Sequence, residues 1–458
     1  MTAPLSTICC PACGYLADPA DPYPFRCPRA GTDDADHVLT RVLDPAVVRF
    51  PDDPDTNPFL RYRTLMHSYH VATARGLPDG AYRDLVDELD AGVAAVDGRG
   101  FRATPFFRSP GLSDALGFDG DGGVWVKDET GNVSGSHKGR HLMGVLIHLT
   151  VMERCGLLDP AARRGLAIAS CGNAALAAAV VARAGGWALT VFVPPDAEAS
   201  VVRQLNDLGA QVVTCPREPG VPGDPAYLAL RKELARGALP FTTQGPENGL
   251  AIEGGLTLGY ELVTDLASHT PDHLVGQPPL HHLIIQVGGG ALASSVLQAL
   301  REATDLGVLD RLPRVHTVQT TGAHPLDQAH RRVAALLPDN PAPDTIRTTM
   351  VEAAHHRSAF MQSWPEQPVS VAAGILDDET YDWRAVVEGM LLTGGQPLVV
   401  SEETLIHANL QAVARTGIPV DPTGSSGLAG LLEMRRSGHV GDHDRVAVLF
   451  TGIQRGTP

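Results

Sequence analysis

Gly131-Asn132-Val133-Ser134-Gly135-Ser136-His137-Lys138-Gly139-Arg140 follows an apparent strand, Gly123-Val124-Trp125-Val126-Lys127-Asp128-Glu129. The stretch sets one lysine among small and hydroxylated residues at the end of that strand. A lysine so placed can leave bulk water. Desolvation then lowers its pKa and frees a neutral amine able to form a Schiff base. Taken alone, the stretch reads as well as a surface lysine in a glycine-serine loop.

Three segments downstream bear on the choice. Gly165–Ala174 followed by Ala175–Arg183 reads as a buried strand, a tight turn and a helix. Ser170, Cys171, Gly172 and Asn173 form the turn. Its backbone N–H groups would stand at a helix N-terminus, where a carboxylate is favoured. Asn173 either offers a side-chain amide or is a plain N-cap. His282–Leu292 running into Ala293–Leu300 repeats the pattern. Gly288, Gly289 and Gly290 let the backbone approach a phosphate closely. No Lys-Ser/Thr follows, so this is not a nucleotide P-loop, nor is it G-x-G-x-x-G. Arg445–Ile453 reads as a buried strand ending in Thr451-Gly452, with a hydroxyl at the carboxyl edge of a sheet. Each of these alone is also compatible with an ordinary turn or strand end.

In this order the four segments resemble the fold-type II pyridoxal-phosphate enzymes, from about Thr104 to Thr451. That family comprises threonine synthase, the threonine and serine dehydratases, cysteine synthase and the tryptophan synthase β chain. The resemblance implies an α/β fold of two parallel-sheet domains with the site between them, and a homodimer. It implies that Lys138 is the Schiff-base lysine and the general base for a substrate Cα proton. It assigns the substrate carboxylate to Ser170, Cys171, Gly172, Asn173 and Ala174, with Ser136 beside them. Asn173 would contact the cofactor's phenolic oxygen, and Gly288, Gly289, Gly290, Ala291 and Leu292 would cup its phosphate. Thr451 would be the hydroxyl partner of the pyridine nitrogen. A hydroxyl there does not stabilise a protonated ring, which favours expulsion of a β or γ leaving group over transamination.

Asn57–Arg63, Phe101–Pro105, Glu253–Leu262 and Val315–Pro325 are similar to threonine synthase segments. There are departures. Where S-F-K-D-R-G is usual, this chain has Ser136-His-Lys-Gly-Arg-His141, and a histidine before the lysine resembles the tryptophan synthase β chain. The chain ends Thr451-Gly-Ile-Gln-Arg-Gly-Thr-Pro458, not T-G-H-G-L-K-D-P. These changes put the substrate in question more than the cofactor. Ammonia-lyase and β-replacement activities are close alternatives to threonine synthase chemistry, and a non-catalytic, cofactor-binding regulator is an alternative of another class. His137 either positions the phosphate or Lys138, or packs at the strand end. Glu253 either lines the site or starts a helix.

The chain of 458 residues, 43% apolar and 19% charged, can bury a large core. Its net charge of −16 argues against nucleic-acid or anionic-membrane binding. No apolar run reaches a transmembrane length and no signal-peptide pattern precedes Cys9, so a cytoplasmic location is expected. Strand–helix alternation over Leu142–Glu153, Leu166–Ala169, Ala174–Ala184, Leu189–Val193, Ala199–Leu208 and Gln211–Thr214 marks a parallel sheet. A smaller α/β domain is therefore expected over residues 141–244, inserted between residues 46–140 and 245–458 of a larger one. Residues from Thr40 to Asp97 read as a helical arm, and Cys215–Pro225 as a loop.

Residues 1–45 form a Cys-rich, zinc-ribbon-like segment. Cys10-x₂-Cys13 has zinc-knuckle spacing, with Cys27 the third candidate ligand. Ala30 stands where a fourth cysteine would fall. His37 completes the set, with Cys9 as the alternative; otherwise the ribbon is degenerate and holds no metal.

Overall fold

Apolar runs that end in turn residues become neighbouring strands. The computed structural model describes residues 4–218, 220–221, 223–268 and 279–455. Its strands are β1 (Ser6–Cys9), β2 (Thr40–Leu43), β3 (Phe106–Arg108), β4 (Gly123–Asp128), β5 (Leu166–Ala169), β6 (Leu189–Val193), β7 (Gln211–Thr214), β8 (Leu239–Pro240), β9 (His282–Gln286), β10 (Arg314–Thr320), β11 (Pro397–Val400) and β12 (Arg445–Phe450). One sheet has the order β11-β10-β9-β12-β4-β3, parallel except for edge strand β3. A second has the order β7-β6-β5-β8 and is wholly parallel.

Parallel sheets are covered on both faces, so their central strands are apolar throughout. β12 is buried at every position. Alternate residues serve opposite cores: Val124, Val126, Ile284, Val446 and Val448 face one, while Leu283, Ile285, Ala447 and Leu449 face the other. Helices 402–416 and 426–436 cover the first face, and helices 251–268, 291–305 and 383–393 the second. The four-stranded sheet is flanked by the alanine-rich helix Asn173–Ala184 and by helices Ala199–Asp207 and Pro225–Ala235.

Three local expectations shift. The helix expected from Leu142 begins at Lys138 and runs to Arg154, so the lysine stands on a first helical turn rather than in a loop. In the expected 40–97 arm, Thr40–Leu43 is extended and pairs antiparallel with β1. Helix Asp79–Asp97 does form, burying Tyr82, Leu85, Val86, Leu89 and Val93 at helical spacing. In the loop expected over 215–225, Pro225 starts a helix capped by the Asp224 carboxylate, which accepts from Ala226 N at 2.8 Å. Residues 219 and 222 lie outside the described residues. Among the described residues no helix is long and apolar enough to cross a membrane.

β4, β12 and β9 are parallel neighbours, so their carboxyl ends lie side by side. Glu129–Arg140, Thr451–Ile453 and Val287–Gly290 leave from those ends. The position is the one where α/β sheets build their sites.

Candidate active site

The lysine segment is fastened along the end of β12. Glu129 N donates to Phe450 O at 2.8 Å, His137 N to Thr451 O at 3.1 Å, and Ile453 N to Gly135 O at 2.8 Å. Ser134 takes a left-handed backbone, φ 56°, where the chain reverses. Lys138 follows at the helix start. Burial pushes its amine below the ordinary lysine value, with the Asp377 and Asp382 carboxylates pulling it back up. Its Nζ lies 3.3 Å from Thr243 Oγ1. A buried amine of lowered pKa is a competent nucleophile and base.

Beneath the lysine lies a buried ionic network. Arg140 donates to Glu129 at 2.8 Å and to Glu261 at 2.6 Å, while Lys127 donates to Glu261 at 2.7 Å. Arg140, Lys127 and Glu129 are fully buried and Glu261 nearly so. The network binds the end of β4, the lysine helix and helix 251–268 to one another. Gly139, which departs from the resembled motif, packs tightly there: a Cβ would lie 3.3 Å from Val133 O and 3.4 Å from the Phe101 ring.

The glycine turn after β9 is enclosed. Gly290 has φ 100°, a conformation that suits glycine, and caps helix Ala291–Asp305. Ala291 and Leu292 are buried in its first turn. A Cβ on Gly288 would collide with Asp377 Oδ2, and one on Gly289 would lie 2.8 Å from the Tyr381 ring. Asp377 accepts a hydrogen bond from the Gly289 backbone. The turn thus sets its Gly289 N–H against a carboxylate, an arrangement that suits an anionic group.

Thr451 is buried, and its hydroxyl accepts from Gln286 Nε2 at 2.7 Å. The same Nε2 lies 2.8 Å from Gly424 O and 3.1 Å from Leu449 O, which fixes the amide with nitrogen toward Thr451. The threonine hydrogen is left to donate elsewhere. At the end of β5 in the four-stranded sheet, Gly172 is the N-cap of helix 173–184 and Asn173 the first helical residue, so Asn173 is not a plain N-cap. Its Oδ1 accepts from Arg455 Nη2 at 3.0 Å, and its side chain also bonds Asp421. Ser170 Oγ accepts from Gly172 N at 3.4 Å, Cys171 is exposed, and Ala174 continues the helix.

Ser136 pairs with Gly452 in an isolated bridge and is fully buried. His137 reaches Thr451 O through Nδ1 at 3.2 Å, and burial holds its imidazole down at about 3, so it is neutral and pins the lysine segment to β12. Glu253 stands away from the cleft. It accepts from His67 N and lies 3.8 Å from Arg41. Asp377, Asp382, Thr243, Gln286 and Arg455 were not singled out by the sequence.

At the N-terminus the ligand atoms of Cys10, Cys13, Cys27 and His37 all lie within 4.8 Å of one another. Cys10 Sγ and Cys27 Sγ are 3.4 and 3.5 Å from His37 Nδ1, and Cys13 Sγ is 3.7 Å from Cys27 Sγ. His37 Nε2 faces Asp33 Oδ1 at 2.8 Å, the outer contact that orients a ligating imidazole. His37 rather than Cys9 completes this group. Such a set can hold a tetrahedral zinc ion.

A sequence model of the family described as pyridoxal-phosphate dependent enzyme matches residues 99–452. A threonine synthase from Methanocaldococcus jannaschii is 25% identical over 351 residues, 76% of this chain and 74% of that protein. An L-threonine ammonia-lyase from Thermotoga maritima is 30% identical over 191 residues, 42% of this chain and 40% of that protein. Among solved structures, the diaminopropionate ammonia lyase from Escherichia coli superposes with a TM-score of 0.58 at 14% identity. The match covers 82% of this chain and 89% of that one.

Proposed function

Because the chain belongs to the pyridoxal-phosphate dependent enzyme family, we propose that it is a lyase acting on an amino acid with a leaving group at Cβ or Cγ. The observation that carries this is that Lys138, the Gly288–Gly290 turn and Thr451 follow the ends of neighbouring strands β4, β9 and β12, while Asn173, after β5 of the other sheet, is tied through Arg455 to Ser134 O of the lysine segment. Pyridoxal phosphate bound there supplies the electron sink for a substrate carbanion. Lys138 would hold the cofactor, and its neutral amine would accept the substrate Cα proton. The N–H groups of the Ser170–Ala174 turn would orient the substrate carboxylate, and the Asn173 amide would serve the cofactor's phenolic oxygen. Gly288 to Leu292 cup the phosphate, and Ser136 closes the floor beside the lysine. The Thr451 hydroxyl would serve the ring nitrogen without supplying a charge to hold it protonated, which suits elimination.

One feature favours an uncharged leaving group over the phosphate of O-phosphohomoserine. The nearby cation Arg455 is already held by Asn173 and by Ser134 O at 2.6 Å. Threonine, serine, O-acetylserine and O-phosphohomoserine should each be offered to the purified chain. The expected result is ketoacid plus ammonia from a hydroxylated or acylated substrate. Threonine and phosphate from O-phosphohomoserine would make it a synthase. A new Cβ bond with an added nucleophile would make it a β-replacement enzyme. No change in the cofactor spectrum with any amino acid would leave only a regulatory role.

Thr451→Asp should place a carboxylate against the ring nitrogen and favour its protonation. Elimination is expected to fall roughly tenfold or more, by about 1.4 kcal/mol of barrier, while transamination products rise. Wild-type behaviour of both Thr451→Asp and Thr451→Val would show that this hydroxyl does not face the ring.

We extend the proposal to one structural zinc per chain at Cys10, Cys13, Cys27 and His37, since four protein ligands leave no open position. Gly249 N donates to Phe25 O at 2.9 Å and Asp36 N to Ala354 O at 2.8 Å, tying this segment to the body of the fold. Metal analysis without chelator should find one zinc. Cys13→Ser should lose it, with a stability loss above the ~1 kcal/mol of an ordinary substitution. No zinc in the wild type, and unchanged stability in Cys13→Ser, would identify a degenerate ribbon.

A further inference from the structure

The glycine turn and the strap from Ala372 to Asp382 are clasped together by two kinds of contact. The strap satisfies the turn's carbonyls: Thr380 Oγ1 donates to Gly288 O at 3.0 Å, and Asp382 N donates to Gly289 O at 3.0 Å. Asp377 instead satisfies a donor, accepting from the Gly289 N–H, with Oδ2 where a Cβ on Gly288 would stand. A phosphate ester uses the donors of such a turn and leaves its carbonyls alone. Thr380 and Asp382 can therefore keep their bonds when an anion enters from solution, but Asp377 cannot. The strap is anchored on both sides of this carboxylate: Gly374 N donates to Thr423 Oγ1 at 3.0 Å, Trp364 N to Asp378 O at 2.7 Å, and Arg357 pairs with Glu379 at 2.5 Å.

We propose that Asp377 is an internal stand-in for phosphate, occupying the Gly288–Gly290 cup and competing with the phosphate group of the cofactor for its N–H donors. The proposal rests on the reading that this cup receives the cofactor's phosphate. A site whose competent state is only fractionally populated binds more weakly by that fraction. The carboxylate therefore lowers affinity for the phosphorylated cofactor more than for a ligand that lacks the phosphate, since its pull on the Lys138 amine acts on both alike. Two like charges do not share one set of donors, so entry of the cofactor turns the Asp377 side chain out of the cup while the anchored backbone stays in place.

Equilibrium dialysis of the full chain freed of cofactor tests this, with pyridoxal phosphate and unphosphorylated pyridoxal as paired probes. Asp377→Asn removes the charge with little change of shape, and Asp377→Ala removes the group. Asp378→Asn is the control for local charge. Both Asp377 variants are expected to raise the ratio of pyridoxal phosphate to pyridoxal affinity about 10-fold or more, with the Asp378→Asn variant near wild type for both probes. Unchanged affinity for pyridoxal phosphate in both Asp377 variants would overturn the proposal. So would an equal gain for both probes, which would mean that Asp377 acts through the Lys138 amine or the general packing and not through the phosphate cup. A wild-type chain that takes up no pyridoxal phosphate on Lys138 would instead overturn the cofactor reading on which the proposal stands.

Discussion

Lys138→Ala is expected to lower turnover by at least about 10³-fold, because in the proposed function one side chain supplies both the cofactor attachment and the proton acceptor. The loss should fall on kcat. The Gly288–Gly290 turn and the Thr451–Gln286 pair are independent of the lysine side chain, so non-covalent cofactor binding should persist. The variant should also fold normally, since Nζ makes one long contact, 3.3 Å to Thr243, and deleting it removes a desolvated amine. Rapid-quench product analysis with cofactor titration checks this. Retained turnover, or loss of all cofactor binding with an unchanged fold, would contradict the assignment.

Arg140→Met is expected to have the largest effect on stability. Burial pushes the carboxyls of Glu129 and Glu261 up, but Arg140 and Lys127 outweigh it, and both end below the ordinary glutamate value. Removing the arginine leaves two buried carboxylates facing one lysine. Breaking a buried pair by deleting one partner costs about 3–5 kcal/mol, and urea unfolding reads it directly. The pH dependence has a definite sign. Carboxyls lowered by folding contribute stability that is present above their unfolded pKa and lost as pH falls through the folded one. The deficit of Arg140→Met should therefore be largest above about pH 5 and shrink in acid. A difference below about 1 kcal/mol at neutral pH would mean that the network is not buried as described.

The parts of the site legible in the sequence are those written contiguously. Lys138, Gly288–Gly290, Asn173 and Thr451 each close a strand–turn–helix or strand-end unit, and the period of apolar residues places them at strand ends. Cys10, Cys13, Cys27 and His37 were likewise legible, because ligand types and spacing carry the signal. The partners that set their chemistry were not. Thr243 meets Lys138 from 105 residues away, and Gln286 meets Thr451 from 165. Asp377 reaches the glycine turn from a strap whose Asp377-Asp378-Glu379 run reads locally as a solvated acidic loop. Glu253 opens a helix, as one expectation had it, but helix periodicity could not show that it faces Arg41 and His67 rather than the cleft. The helix start at Lys138 is hidden in the sequence because the flanking His137 and Gly139 are weak helix formers. The buried Arg140 network holds that turn in place.

The chain contains three lysines, Lys127, Lys138 and Lys232. Lys127 is fully buried against Glu261, and Lys232 is exposed on helix Pro225–Ala235. Borohydride reduction of the purified protein followed by peptide mapping therefore has few possible answers. The account predicts one pyridoxyl group per chain, on Lys138. An adduct on Lys232 or Lys127, or none, would contradict it.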